Sequence, residues 1–205
     1  MSDVVICVHN EATTLGDIVD AALKADIGKV IVVIDSSTDD SLNVADAHRK
    51  SALVLLQGNY RDKGSAVEAG VSRVSTPRTV LFDSDLLNVV PDHFRQLDVP
   101  SSGQVVGIRG GSFKEGKSFN VDPRWSIGGE RCLPTDVLRS VQLHGAGYRL
   151  EMRVNKELAR RKLPSHYVWL DGLKHRSDMQ KVNIIPAIKH DIVRWYQVGS
   201  EFLKR

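Results

Sequence analysis

Only two cysteines occur in 205 residues. Cys7 lies inside an apolar run and Cys132 far downstream, which gives neither a disulfide framework nor a cysteine-based metal spacing. No stretch approaches the roughly 18 consecutive apolar residues of a membrane-spanning helix. The start, "MSDVVICVHN", lacks a basic n-region and reads as a strand almost at once, which argues against a secretory leader. A reducing, cytoplasmic setting is therefore expected. Aromatic residues make up only 6%, too few to interleave with basic residues along a nucleic-acid track. Internal repeats and low-complexity segments are also missing.

What remains is an ordinary soluble composition, 41% hydrophobic and 26% charged, in a chain long enough for one sizeable domain. The net charge of +3 hides an uneven division. Residues 1–103 carry nine Lys and Arg against fifteen Asp and Glu, whereas residues 104–205 carry nineteen against ten. An acidic half able to hold a cation beside a basic half suits an anionic substrate.

The first hundred residues alternate between two periods. "VVICV" (4–8), "KVIVVID", "ALVLLQ" and "RTVLFDSD" read as strands, separated by helical segments at 11–25, over "STDDSLNVADAHRK" (37–50), and over "DKGSAVEAGVSRV". Asn10 is the expected N-cap of the first helix, the second is expected to open with acidic residues, and Pro91 suits the first turn of "PDHFRQL". Such alternation predicts an α/β fold with a mostly parallel, Rossmann-like sheet flanked by helices. After residue 100 the pattern loosens. "VVGIRG" and "HYVWLDGL" read as strands, "LPTDVLRSVQLHG" and "YRLEMRVNKELARRK" as helices, and "GGSFKEGKSFNVDPRWSIGGE" as a long functional loop. A last helix is expected after Ile185, with Ile188, Ile192 and Tyr196 on one face.

Ligands of an open parallel sheet bind beyond the carboxyl ends of its strands. Four polar clusters fall there: "HNE" (9–11), "DSSTDD" (35–40), "RDKG" (61–64) and "DSD" (83–85). Asp83 and Asp85, two apart at a strand end, are within reach of one hard divalent cation. Such a cation bridges the phosphates of a nucleoside diphosphate. Lys63 adds a second positive charge, and Asp35 or Glu11 suits hydrogen bonds from a base or ribose. Each cluster alone also fits helix capping or a solvated turn, and that reading is the better one for Asp39 and Asp40.

The ordered series "VVICVHNEATTL", "VVIDSSTDDS", "YRDKGSAVEAGV" and "VLFDSDLLNVVPDH" resembles the nucleotide-sugar glycosyltransferases of the GT-A fold, family 2. "FDSDLLNVVPDHF", "SIGGERCLPTDVL", "GYRLEMRVNKEL" and "DGLKHR" extend the resemblance to retaining enzymes of the glucosyl-3-phosphoglycerate synthase type. The resemblance implies one GT-A domain over 1–205, with a nucleotide-sugar half (1–103) and an acceptor half (104–205). It places Glu11, Asp35 and Ser36 at the nucleoside, Lys63 and Asp83 at the donor phosphates and sugar, and Asp83, Asp85 and His175 at an Mn2+ or Mg2+ ion. Glu130, Asp85 and Lys63 fall on catalytic positions, and Glu151 near the sugar and acceptor. Asp62 departs from the family's G-K-G, where glycine stands.

The expected activity is metal-dependent transfer of a sugar from a UDP- or GDP-sugar to a hydroxyl or anionic acceptor, with retention. Alternatives are an inverting transfer to a polyprenyl phosphate, with the terminal helix at a membrane surface, and transfer to a macromolecule such as DNA, which is not favoured. A homodimer through the terminal helix and a nucleotide-binding protein without turnover complete the set.

Overall fold

The computed structural model describes residues 1–49, 53–109 and 128–176. Strands β1 (Asp3–Val8), β2 (Val30–Asp35), β3 (Leu53–Gly58) and β4 (Arg78–Asp83) alternate with helices α1 (Ala12–Ala25), α2 (Ser41–Ala47) and α3 (Lys63–Val71). There follow β5 (Leu86–Leu87), α4 (Pro91–Leu97), β6 (Gln104–Arg109), β7 (Arg131–Pro134), α5 (Thr135–Ser140), α6 (Leu150–Arg160), β8 (Ser165–Leu170) and β9 (Lys174–His175). Residues 110–127 of the Gly-rich stretch expected to form a loop, and the terminal helix expected after Ile185, lie outside the described residues.

Seven strands form one sheet in the order β3-β2-β1-β4-β7-β6-β8. Its neighbours run parallel except at β7, which is antiparallel to both β4 and β6. Both faces are covered, which is why the first strands are apolar at nearly every position. Val4, Ile6 and Val32 pack with Leu15, Ile18 and Phe94 on one side. Val5, Ile31 and Val33 pack with Val67, Leu138 and Val154 on the other. On α1, Leu15, Ile18, Val19, Ala22 and Ala25 recur at helical spacing and are all buried.

Three local expectations give way to tertiary contacts. Glu11, not Asn10, occupies the N-cap of α1, and Asn10 takes a left-handed φ of 58°. Asn10 Oδ1 instead accepts from the Thr38 amide at 2.8 Å. The Ala12 amide donates to Asp39 Oδ2 at 3.0 Å, so α1 is capped from the neighbouring loop. Helix α2 begins at Ser41 with Asp40 at its N-cap, so the acidic residues precede its first turn. Residues 131–134, partly included in an expected helix, are strand β7, and α5 shortens to six residues. The hydrogen bonds of β4 and β6 on either side decide that segment.

Candidate active site

The carboxyl ends of β1, β2 and β4 bring "HNE", "DSSTDD" and "DSD" to one rim, and the N-terminus of α3 adds Lys63. Lys63 Nζ donates to Asp83 Oδ1 at 2.8 Å and to Glu151 Oε1 at 3.0 Å. Burial works to lower the Lys63 pKa, but the two carboxylates outweigh it and hold the pKa well above its ordinary value. Lys63 is therefore a fixed positive charge. Asp62 caps α3 by accepting from the Ser65 amide at 3.2 Å, and it also accepts from the Gly147 amide at 3.0 Å. Burial opposes its ionisation; the hydrogen bonds from Ser65 and Gly147 overcome that and lower its pKa. The aspartate thus adds a cap and ties α3 to the start of α6. Gly64 permits the close approach, since a Cβ there would stand 2.2 Å from the Leu143 carbonyl oxygen.

Beyond Asp83 the chain forms a short arm. Strand β5 pairs with β9, placing Leu86 opposite His175. His175 Nε2 lies 2.9 Å from Asp85 Oδ2. The next residue fastens the arm to α1: the Arg176 amide donates to the Asp85 carbonyl at 2.9 Å, and its guanidinium is 3.2 Å from Glu11 Oε2 and bonds Thr13 Oγ1. Arg176 was visible in the sequence only as part of the basic "KHR". Its one signal was adjacency to His175, which carries it into the same arm directly after β9.

At the carboxyl end of β2, Asp35 Oδ1 accepts from the Tyr60 amide at 2.8 Å and from Ser36 Oγ at 3.0 Å. Ser36 has a φ of 48°, a turn held by its amide bond to the Gly58 carbonyl at 2.9 Å. Asp35 and Ser36 thus stand together, separate from the Glu11–Arg176 pair.

Glu130 is 0% exposed, and neither of its carboxylate oxygens has a hydrogen-bond partner among the described residues. Burial first, and then the negative charge of Asp83, push its pKa up to about 7, against the pull of Arg109 at 3.6 Å. The preceding Gly129 lies against Asp83 so closely that a Cβ would come 2.1 Å from Oδ2. Sequence reasoning found Glu130 but not Arg109 or Arg131, whose guanidinium is buried below the same turn. Beneath Lys63 and Asp83 lies a small pocket lined by Cys7, Val67, Leu81, Gly129, Arg131 and Glu151. Burial pushes the Cys7 thiol up to about 12, so it contributes no thiolate.

The expected metal residues divide into two contacts: Asp85 meets His175, while Asp83 turns to Lys63. No group of three His, Cys, Asp or Glu side chains converges as a ready cage among the described residues. A carboxylate with an imidazole still fits Mn2+ or Mg2+, which keep few protein ligands and fill the remainder with phosphate oxygens and water.

The α/β sheet with its acidic arm, helix-borne lysine and buried glutamate has the architecture of a GT-A glycosyltransferase. The description "Glycosyl transferase family 2" matches residues 3–147, and the chain belongs to that family. No curated protein matches the chain by sequence. Among solved structures, glucosyl-3-phosphoglycerate synthase from Mycobacterium tuberculosis with Mn2+, UDP-glucose and glycerol 3-phosphate is 21% identical, with a TM-score of 0.76 over 99% of this chain and 79% of that one. The same enzyme with Mn2+, UDP and glucosyl-3-phosphoglycerate is 19% identical, with a TM-score of 0.75 over 99% and 78%. Its complex with Mg2+ and UDP gives 19% and 0.68 over 93% and 78%. At such identities the likeness is one of fold.

Proposed function

We propose that this chain transfers a sugar from a UDP- or GDP-sugar to an acceptor hydroxyl, with retention at the anomeric carbon and with Mn2+ or Mg2+ bound. The carrying observation is the Asp85–His175 pair, 2.9 Å apart, on the same rim as the Lys63–Asp83 pair. Asp85 and His175 would hold the cation, which when bound offsets the charge of the departing diphosphate. Lys63 holds Asp83 and Glu151 in place and keeps a positive charge near the phosphates. Asp35 Oδ2, Ser36 and Glu11 receive the base and ribose. Glu130, whose carboxylate oxygens have no hydrogen-bond partner among the described residues, accepts a hydrogen bond from the acceptor hydroxyl and orients it. The synthase complexes, which contain Mn2+ with UDP or UDP-glucose, support the choice of donor and metal.

The acceptor is a small hydroxyl compound bearing negative charge, in keeping with the basic second half and Arg109. The polyprenyl-phosphate and macromolecular alternatives drew on the terminal helix and the basic patches. The helix lies outside the described residues, and no helix among those described is long and apolar enough to cross a membrane. The test is release of UDP or GDP from a panel of sugar donors with Mn2+ or Mg2+, with the product anomer read by proton NMR. An inverted anomer would overturn retention, and silence with every donor would overturn the transferase reading.

A further inference from the structure

Arg131 opens β7, is 1% exposed, and leads the fully buried side chains of the described residues in volume. It pairs with Leu81 across β4 and shares its cleft with Leu150 and Val154 as well as with Asp83 and Glu151. A guanidinium in such a layer is expensive to desolvate, and a well-packed apolar side chain there is commonly as stable or more so. Burial alone gives no reason for an arginine, although the charges of Glu151, Glu130 and Asp83 favour its ionised form.

Its hydrogen bonds give one. Nε and Nη2 both donate to the Gly128 carbonyl, at 2.8 and 2.5 Å. Nη1 donates to Asn155 Oδ1 at 3.1 Å and to Gln104 Oε1 at 3.3 Å. The planar fork thus grips one backbone carbonyl while two amide side chains steer it from behind. Gly128 leads into Gly129, which packs on the Asp83 carboxylate, and then into Glu130, whose carbonyl accepts from the Gly107 amide at 2.8 Å. Moving the Gly128 carbonyl therefore moves the wall against Asp83 and the backbone that carries Glu130.

We propose that Arg131 is a positioning residue for sugar transfer, clamping the Gly128 carbonyl and, through the Gly128–Gly129 turn, setting Asp83 and Glu130 at the rim. The inference rests on the transferase reading above and adds a residue that the donor and metal sites do not contain.

Arg131→Met removes the fork at similar length, and Arg131→Lys keeps one cationic donor without the fork. Both are compared with the wild-type chain on whichever UDP- or GDP-sugar it turns over best, with Mn2+. Affinity for the matching nucleoside diphosphate and Mn2+ is read by calorimetry. A misplaced turn should lower kcat about 100-fold in Arg131→Met, with KM and nucleotide affinity within about threefold, and Arg131→Lys should recover about tenfold of the loss. A parallel loss of nucleotide affinity, or kcat within about threefold of wild type in both variants, overturns the inference. If Arg131→Met does not fold, Arg131→Lys decides alone: about tenfold lower kcat at unchanged affinity is expected, and unchanged kcat overturns it. An inactive wild-type chain overturns the transferase reading and the inference with it, which differs from an active chain with active variants.

Discussion

His175 Nε2 and Asp85 Oδ2 stand 2.9 Å apart, although 90 positions separate them in the sequence. The β5–β9 pairing brings them together, and the Arg176 amide bond to the Asp85 carbonyl locks the register. The D-x-D arm is thus closed by the second half of the chain. Replacing His175 by Ala removes an imidazole from the candidate cation site while leaving the backbone pairing intact. Mn2+ affinity in the presence of UDP should fall about 10–100-fold, as when a metal site loses a supporting group. Mn2+ titration followed by electron paramagnetic resonance checks this, and unchanged affinity contradicts the assignment.

Lys63 joins α3 to β4 and α6 through Asp83 and Glu151. Lys63→Met would leave two carboxylates facing each other without their cation, at a cost of about 1–3 kcal/mol for a partly solvated network. Adding Glu151→Gln should return part of that loss, so the double variant should be more stable than the two single losses added together. Urea denaturation of the three variants measures the coupling.

Glu130 makes stability depend on pH in a definite direction. Its pKa rises from an ordinary 4.5 to about 7 in the folded chain, so the folded form binds the extra proton between those values. Stability from this group is therefore lost as pH rises from about 4.5 to about 7, by on the order of 3 kcal/mol. Glu130→Gln should flatten that slope and be more stable than wild type at pH 8. Denaturation midpoints at pH 5 and pH 8 decide it; an unchanged slope would place the titration elsewhere.

Gly129 tests the close packing on Asp83. Gly129→Ala brings a Cβ within 2.1 Å of Oδ2 unless the turn or the carboxylate shifts. A loss of about 1–3 kcal/mol is expected, in the range for overpacked sites, together with weaker transfer activity. Thermal denaturation and nucleotide release are the two readouts.

The strand–helix alternation of residues 3–97 was legible because buried parallel strands and amphipathic helices write two different periods into the chain. "DSD" at the end of β4 and Lys63 at the start of α3 were legible for the same reason, since the alternation places strand ends on one rim. Strand β7 was not, because four residues carry too little period and its partners lie on both sides in space. The cap of α1 was missed because Asp39 reaches the Ala12 amide from 27 residues away. A lone histidine such as His175 carries no signal of its own; the likeness to a known family supplied it, and the β5–β9 pairing supplied the contact. Arg131 read as one more basic residue because its burial depends on the packing of α6 against the sheet.

Cation-assisted donor cleavage at the Asp85–His175 pair requires both the metal and the Asp85 carboxylate. The most direct measurement is nucleoside diphosphate release from UDP- and GDP-sugars by the wild-type chain and by Asp85→Ala, each with Mn2+ and with a chelator. Release by the wild type with Mn2+, lost on chelation and at least about 100-fold weaker in Asp85→Ala, is the expected result. Equal release by Asp85→Ala, or release that persists after chelation, would contradict it.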